Sequence, residues 1–77
     1  MVRPGERHEH RGVVLQILEV NPYRTFSGRT EYMVAYVIID GKWRSPVAHF
    51  WLREREDPRP VIERIIDNYL QIKGSLR

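Results

Sequence analysis

The stretch "VIIDGKWRSPVAHFWLR" (residues 37–53) decides how this chain folds. Asp40-Gly41 stands between two runs rich in branched and aromatic residues, the local signature of a tight hairpin. "TEYMVAYVII" (30–39) then reads as one strand and "KWRSPVAHFWLR" (42–53) as its antiparallel return. Pro46 has no N–H to give to a ladder, so the return strand belongs at a sheet edge or carries a bulge there.

Phe50 and Trp51 are neighbours, and neighbours in a strand point to opposite faces, so only one of them enters a single core. For a two- or four-residue turn, even positions of the first strand share a face with odd positions of the second. One face then carries Met33, Ala35, Val37, Ile39, Ala48, Phe50 and Leu52, a small aliphatic set suited to packing under a helix. The other carries Tyr32, Val34, Tyr36, Ile38, Trp43, Val47, His49 and Trp51. A bulge at Pro46 would swap the faces beyond it and exchange the roles of Phe50 and Trp51.

Outward from the hairpin, "GVVLQILEV" (12–20) reads as a strand buried on much of both faces. "NPYRTFSGR" (21–29) reads as a loop, opened by Asn21-Pro22 and closed by Ser27-Gly28. Residues 1–11 carry Pro4, Gly5 and mixed charges without apolar periodicity, and read as a flexible tail before a single domain over 12–77. Downstream, Asp57 is a good N-cap and Pro58 suits the first helical position. Val61, Ile62, Ile65, Ile66, Tyr69, Leu70 and Ile72 recur at helical spacing, and Gly74 is a natural stop. The expected fold is α+β: a three- to four-stranded antiparallel sheet with the C-terminal helix packed on one face.

Seventy-seven residues make one small domain, in which a single core supplies only a few kcal/mol. There is no cysteine, so no disulfide supports it, and that absence fits a reducing, cytoplasmic setting. With 42% hydrophobic and 30% charged residues the chain is globular rather than disordered. It has no apolar run of membrane-spanning length, and "MVRPGERHEHRG" has no signal-peptide core, so a soluble protein without a membrane partner is expected. The net charge is +3, and every basic residue except Lys42 and Lys73 is arginine. Arginine presents a planar fork to phosphate and stacks on bases. The same bias also suits a thermophile's surface ion pairs, as in "RERED" (53–57).

Aromatics on a face without a helix have three uses: stacking unpaired bases, meeting a second subunit, or lying under the tail and loop. The 21–29 loop interleaves Tyr23 and Phe26 with Arg24 and Arg29, a mixture that suits single-stranded nucleic acid. Trp51, Trp43, Tyr32 and Tyr36 are therefore the expected stacking groups and Tyr23 and Phe26 the loop stackers. Arg24, Arg29 and Arg53 are the expected phosphate contacts, and His49 lies on the same face. The alternative is a protein-interaction module or homo-oligomer that buries these aromatics. No enzyme and no cofactor is expected: there is no P-loop, dinucleotide fingerprint or nucleophile elbow. His8, Glu9 and His10 lack a further ligand at metal-binding spacing and read as an ordinary polar segment.

"HFWLREREDPRPVIERIIDNYLQIKG" (49–74) resembles the archaeal ThermoDBP-related proteins, small thermophile binders of single-stranded nucleic acid. The shared features are a strand ending in aromatics, a charged link with Asp-Pro, and a helix closing on Tyr-Leu-x-Ile-Lys. They cover about a third of the chain. The resemblance implies an antiparallel sheet with a hydrophobic, basic-rimmed cleft for unpaired bases, with Trp51 and Phe50 in that cleft. Longer members continue into a C-terminal zipper helix. This sequence ends at Arg77, so a zipper dimer is not expected.

Overall fold

The computed structural model describes residues 1–75. In chain order they form β1 (Arg7–His10), β2 (Val13–Arg24), β3 (Thr30–Asp40), β4 (Trp43–Arg44), β5 (Ala48–Arg53) and α1 (Pro58–Ser75). All pairings are antiparallel, in the order β1-β2-β3-β4, with β5 on the same side of β3 as β4. β4 and β5 are thus two halves of one broken edge strand, and the helix lies chiefly over β2 and β1. The class is α+β, with one helix on an antiparallel sheet.

The hairpin reads as expected. Asp40 pairs with Trp43 across Gly41-Lys42, and Gly41 takes a φ of 60°, as the first position of a type II′ turn requires. The break follows at Pro46. β4 sets Ile39 opposite Arg44, and continuing that register would bring Tyr36 opposite Val47. β5 instead sets Tyr36 opposite Ala48. One extra residue has entered the edge strand. Ser45 bridges the gap: its N–H donates to the Ile38 carbonyl at 2.8 Å, and its hydroxyl accepts the Ile38 N–H at 2.7 Å.

That extra residue corrects the expected faces. Phe50 and Leu52 are buried as anticipated, but Ala48, Phe50 and Leu52 pair on β3 with the even positions Tyr36, Val34 and Tyr32. Tyr32 and Tyr36 therefore lie on the helix side, and Met33, Ala35, Val37 and Ile39 on the open side. A second slip falls in β2, between the pairs Ile17–Tyr36 and Glu19–Ala35. It moves the inward positions from Val13, Leu15 and Ile17 to Val20.

Three other readings change. The tail is tied down: Arg11 and Gly12, both with positive φ, make a type I′ turn that folds β1 onto β2. Upstream, Gly5 N–H donates to the Ile17 carbonyl at 2.8 Å, and Val2 is buried. β2 also runs on through Pro22 to Arg24, so the loop shrinks to residues 25–29. Beyond Ile17, which still bonds to Gly5 and Glu6, no strand among the described residues pairs with the outer side of β2, and an edge strand tolerates a missing N–H. Finally the helix passes through Gly74 to Ser75, and leaves Ile72 exposed. Residues 76 and 77 lie outside the described part.

Helix docking combines apolar and polar contacts. Asp57 caps the start by accepting the Arg59 N–H at 3.0 Å. Ile62 and Ile66 enter the core cluster with Leu15, Ile17, Val34 and Leu52. Near the middle of the helix Asp67 accepts hydrogen bonds from Arg11 at 3.0 Å and His10 at 2.9 Å. Nearer the C-terminus of the helix, Asp40 accepts from the Lys73 ammonium at 2.6 Å and the Tyr69 hydroxyl at 2.7 Å. The Lys73 hydrogen bond, then that of Tyr69, holds the Asp40 carboxyl below its usual range. Arg11 and then His10 do the same for Asp67. Among the described residues no helix is long and apolar enough to cross a membrane.

Two outcomes check this account. Ser45→Ala strands the half-buried Ile38 N–H, and urea denaturation should show a loss of about 1–3 kcal/mol. The second concerns pH. With the folded pKa of Asp40 below the unfolded value near 3.9, its contribution is complete above that value and is lost as pH falls through the folded one. The stability gap between wild type and Asp40→Asn, read from urea midpoints, should therefore be widest near pH 6 and shrink below about pH 4.

Candidate nucleic-acid interface

The helix covers one face of the sheet and leaves the other without a covering element. On this open face the register aligns cross-strand rows. One row is Tyr23 (β2), Glu31 (β3) and Arg53 (β5), and the next is Asn21, Met33 and Trp51. A third is Glu19, Ala35 and His49. Ala35 and Val37 are buried although nothing lies over them, because they are short side chains on the central strand flanked by longer ones.

Tyr23 reaches across β3 to Trp51. Their ring centroids are 5.5 Å apart at 64°, an edge-to-face contact with both rings about half exposed, 48% and 52%. Such a pair is held by its quadrupoles while the outer ring faces remain available. Beside it, the 25–29 loop and the end of β5 enclose an open cleft of about 510 Å³. Arg29, Arg53, Arg55, Glu31 and Glu54 line it, with the hydroxyls of Thr25, Ser27 and Thr30. The loop is ordered by its own bonds: Thr25 N–H to the Arg29 carbonyl at 2.8 Å, and Arg29 N–H to the Thr25 hydroxyl at 3.2 Å. Among the described residues, none of Arg29, Arg53, Arg55, Glu31 and Glu54 takes part in an ion pair.

The aromatics expected to form one platform are divided. Trp51, Tyr23 and His49 lie on the open face. Phe50 and Tyr36 pack together under the helix, centroids 5.6 Å apart, and burial pushes the Tyr36 hydroxyl pKa up. Tyr32 is half-buried on that same side. Trp43 also lies there, stacked on Tyr69 at 5.4 Å and 12°, so it extends the helix contact. The reason is the slip at Pro46, which separates Trp43 from Trp51. Phe26 stands fully exposed at the loop tip. Arg24 follows Tyr23 in the strand, and alternation sends it to the opposite face.

Three charged groups of the cleft, Glu31, Glu54 and Arg55, escaped the sequence reading. Glu31 falls in the Tyr23–Arg53 row only once the registers are known. Arg55, in the charged run 53–57, reads as half of a surface ion pair, yet it sits at the turn after β5 with a φ of 62°. The histidines of the N-terminal strand face carboxylates: His8 meets Glu6 at 2.9 Å, and His10 lies between Asp67 at 2.9 Å and Glu63 at 3.9 Å. Among the described residues no cluster of three ligating side chains is arranged to hold a metal ion. Comparison with known proteins finds no matching family model, no matching curated protein and no matching solved structure.

Proposed function

We propose that this chain binds single-stranded nucleic acid on the open face of its sheet, without catalysis. The observation that carries the reading is the half-exposed Trp51–Tyr23 pair beside a cleft with three arginines that form no ion pair among the described residues. Bases stack against the rings through their π-faces, which tolerates any sequence, while Arg29 and Arg53 meet phosphates. A duplex hides its base faces and gains less from such a surface. His49 flanks the site, and Phe26 at the loop tip offers a further ring to the same strand. The resemblance of residues 49–74 to the archaeal ThermoDBP-related proteins points the same way, with Trp51 rather than Phe50 on the open face beside the cleft.

The rival occupant of this face is a second copy of the chain. Among the described residues β5 pairs only with β3, so its outer edge is available to another strand. Tryptophan fluorescence separates the two readings. Nucleic-acid binding predicts quenching by a mixed-sequence single strand, weaker with the matching duplex. A buried subunit interface predicts blue-shifted emission in the free protein that changes on dilution, without quenching by oligonucleotide.

Variants divide the site by mechanism. Trp51→Ala should weaken binding by roughly 1–3 kcal/mol at every salt concentration. Arg53→Gln should instead lower the slope of log K against log salt by about 0.7, the share of one phosphate contact on a single strand. An unchanged affinity in a folded Trp51→Ala protein would remove the platform from the proposal.

A further inference from the structure

We propose, resting on the single-strand reading, that the cleft beside Trp51 is a ribose-phosphate subsite that selects RNA over DNA. Its central acceptor is Glu31. A surface evolved only for phosphate has no use for carboxylates, since each repels the backbone it must hold. Yet Glu31 and Glu54 line the same cleft as Arg29, Arg53 and Arg55, and none of the five is in an ion pair among the described residues. Glu31 stands directly across from Arg53 in the ladder, so opposite charges are adjacent in register without closing on each other. The site therefore offers donors and acceptors side by side.

A ligand complementary to that pattern carries an anion and a hydrogen-bond donor a short distance apart. Each ribonucleotide does so, with a phosphate for the guanidinium groups and a 2′-hydroxyl that donates to a carboxylate. Deoxyribose has no such donor, and the 2′-hydroxyl is the group by which proteins tell RNA from DNA. Position favours the sugar as the group read. Glu31 is on the open face one row from Trp51, between Tyr23 and Arg53, so a base stacked on Trp51 brings its own or the next sugar over β3. The left-handed backbone of Arg55 (φ 62°) adds a strained residue at the cleft rim, and such strain concentrates at binding sites.

The test compares RNA, DNA and 2′-O-methyl RNA of one mixed sequence, titrated into the whole chain at fixed salt. RNA should bind about tenfold more tightly than DNA, the order expected of one hydrogen bond to a charged group. The 2′-O-methyl strand, which has no hydroxyl proton to donate, should bind like DNA. In Glu31→Gln, with its fold verified by circular dichroism, the RNA-to-DNA ratio should fall towards one. Equal binding of RNA and DNA by wild type would overturn the proposal and leave single-strand binding intact. A Glu31→Gln change in base preference that is the same on both sugars would also overturn it, by making Glu31 a reader of base edges. No binding of any strand at low salt would remove the underlying reading as well.

Discussion

One extra residue between Ser45 and Ala48 determines what both faces of the sheet contain. Side chains alternate along a strand, so a slip of one position sends every later residue to the other face. Without it, Tyr32, Tyr36 and Trp51 would share a surface with Trp43, and Phe50 would face away from Val34. With it, Phe50 and Leu52 join Val34, Leu15 and Ile17 beneath the helix, and Trp51 is the one large aromatic of β5 left outside. Proline is the natural residue for this position, because the slip leaves a ladder donor without a partner and proline has none. Ser45 supplies the other half of the device by accepting the Ile38 N–H.

The helix is then fixed to the sheet, from its middle to its C-terminal turns, by carboxylates of opposite origin. Asp67 belongs to the helix and is met by Arg11 and His10 from the β1–β2 turn. Asp40 belongs to the sheet and is met by Tyr69 and Lys73 from the helix. Exposed pairs of this kind add little energy individually. Their value is orientation: isoleucines at helical spacing slide over a flat apolar surface, whereas polar contacts on opposite flanks of the helix, at Asp67 and at Tyr69 with Lys73, resist its rolling. Trp43 stacked on Tyr69 reinforces the second of these. The only edge tryptophan on the helix side is thereby committed to architecture.

Features carried by local chemistry were legible in the sequence. Asp40-Gly41 announced a hairpin, Asp57-Pro58 a helix start, and the isoleucine spacing a buried helical stripe, because each depends on residues within one or two turns of chain. Pro46 announced a disturbance, but which strand absorbed it is a matter of register. Register is set by which face the helix finally covers, and no local pattern encodes that. The N-terminal strand was hidden for a related reason. "RHEH" is polar at every position, and its pairing is driven by the Arg11-Gly12 turn and by the anchoring of Val2. The candidate site inherits the same division: Trp51, Tyr23 and Arg53 are visible as residue types, while Glu31 joins them only through two ladders.

The open face also has an energetic logic. A chain of 77 residues has little stability to spare, and covering a half-exposed tryptophan and tyrosine would bury apolar area. The 25–29 loop is the nearest segment able to do so, yet it bonds to itself through Thr25 and Arg29, and Phe26 points into solvent. Arg29, Arg53 and Arg55 likewise have Glu31 and Glu54 within the same cleft and do not pair with them, although Arg11 and Lys73 elsewhere do find carboxylates. Half-exposed aromatic rings and charges outside ion pairs thus meet at one end of the sheet, around a single cleft. That coincidence sets this end apart from an ordinary solvated surface, where unpaired charges and single apolar residues are scattered rather than gathered around one cleft.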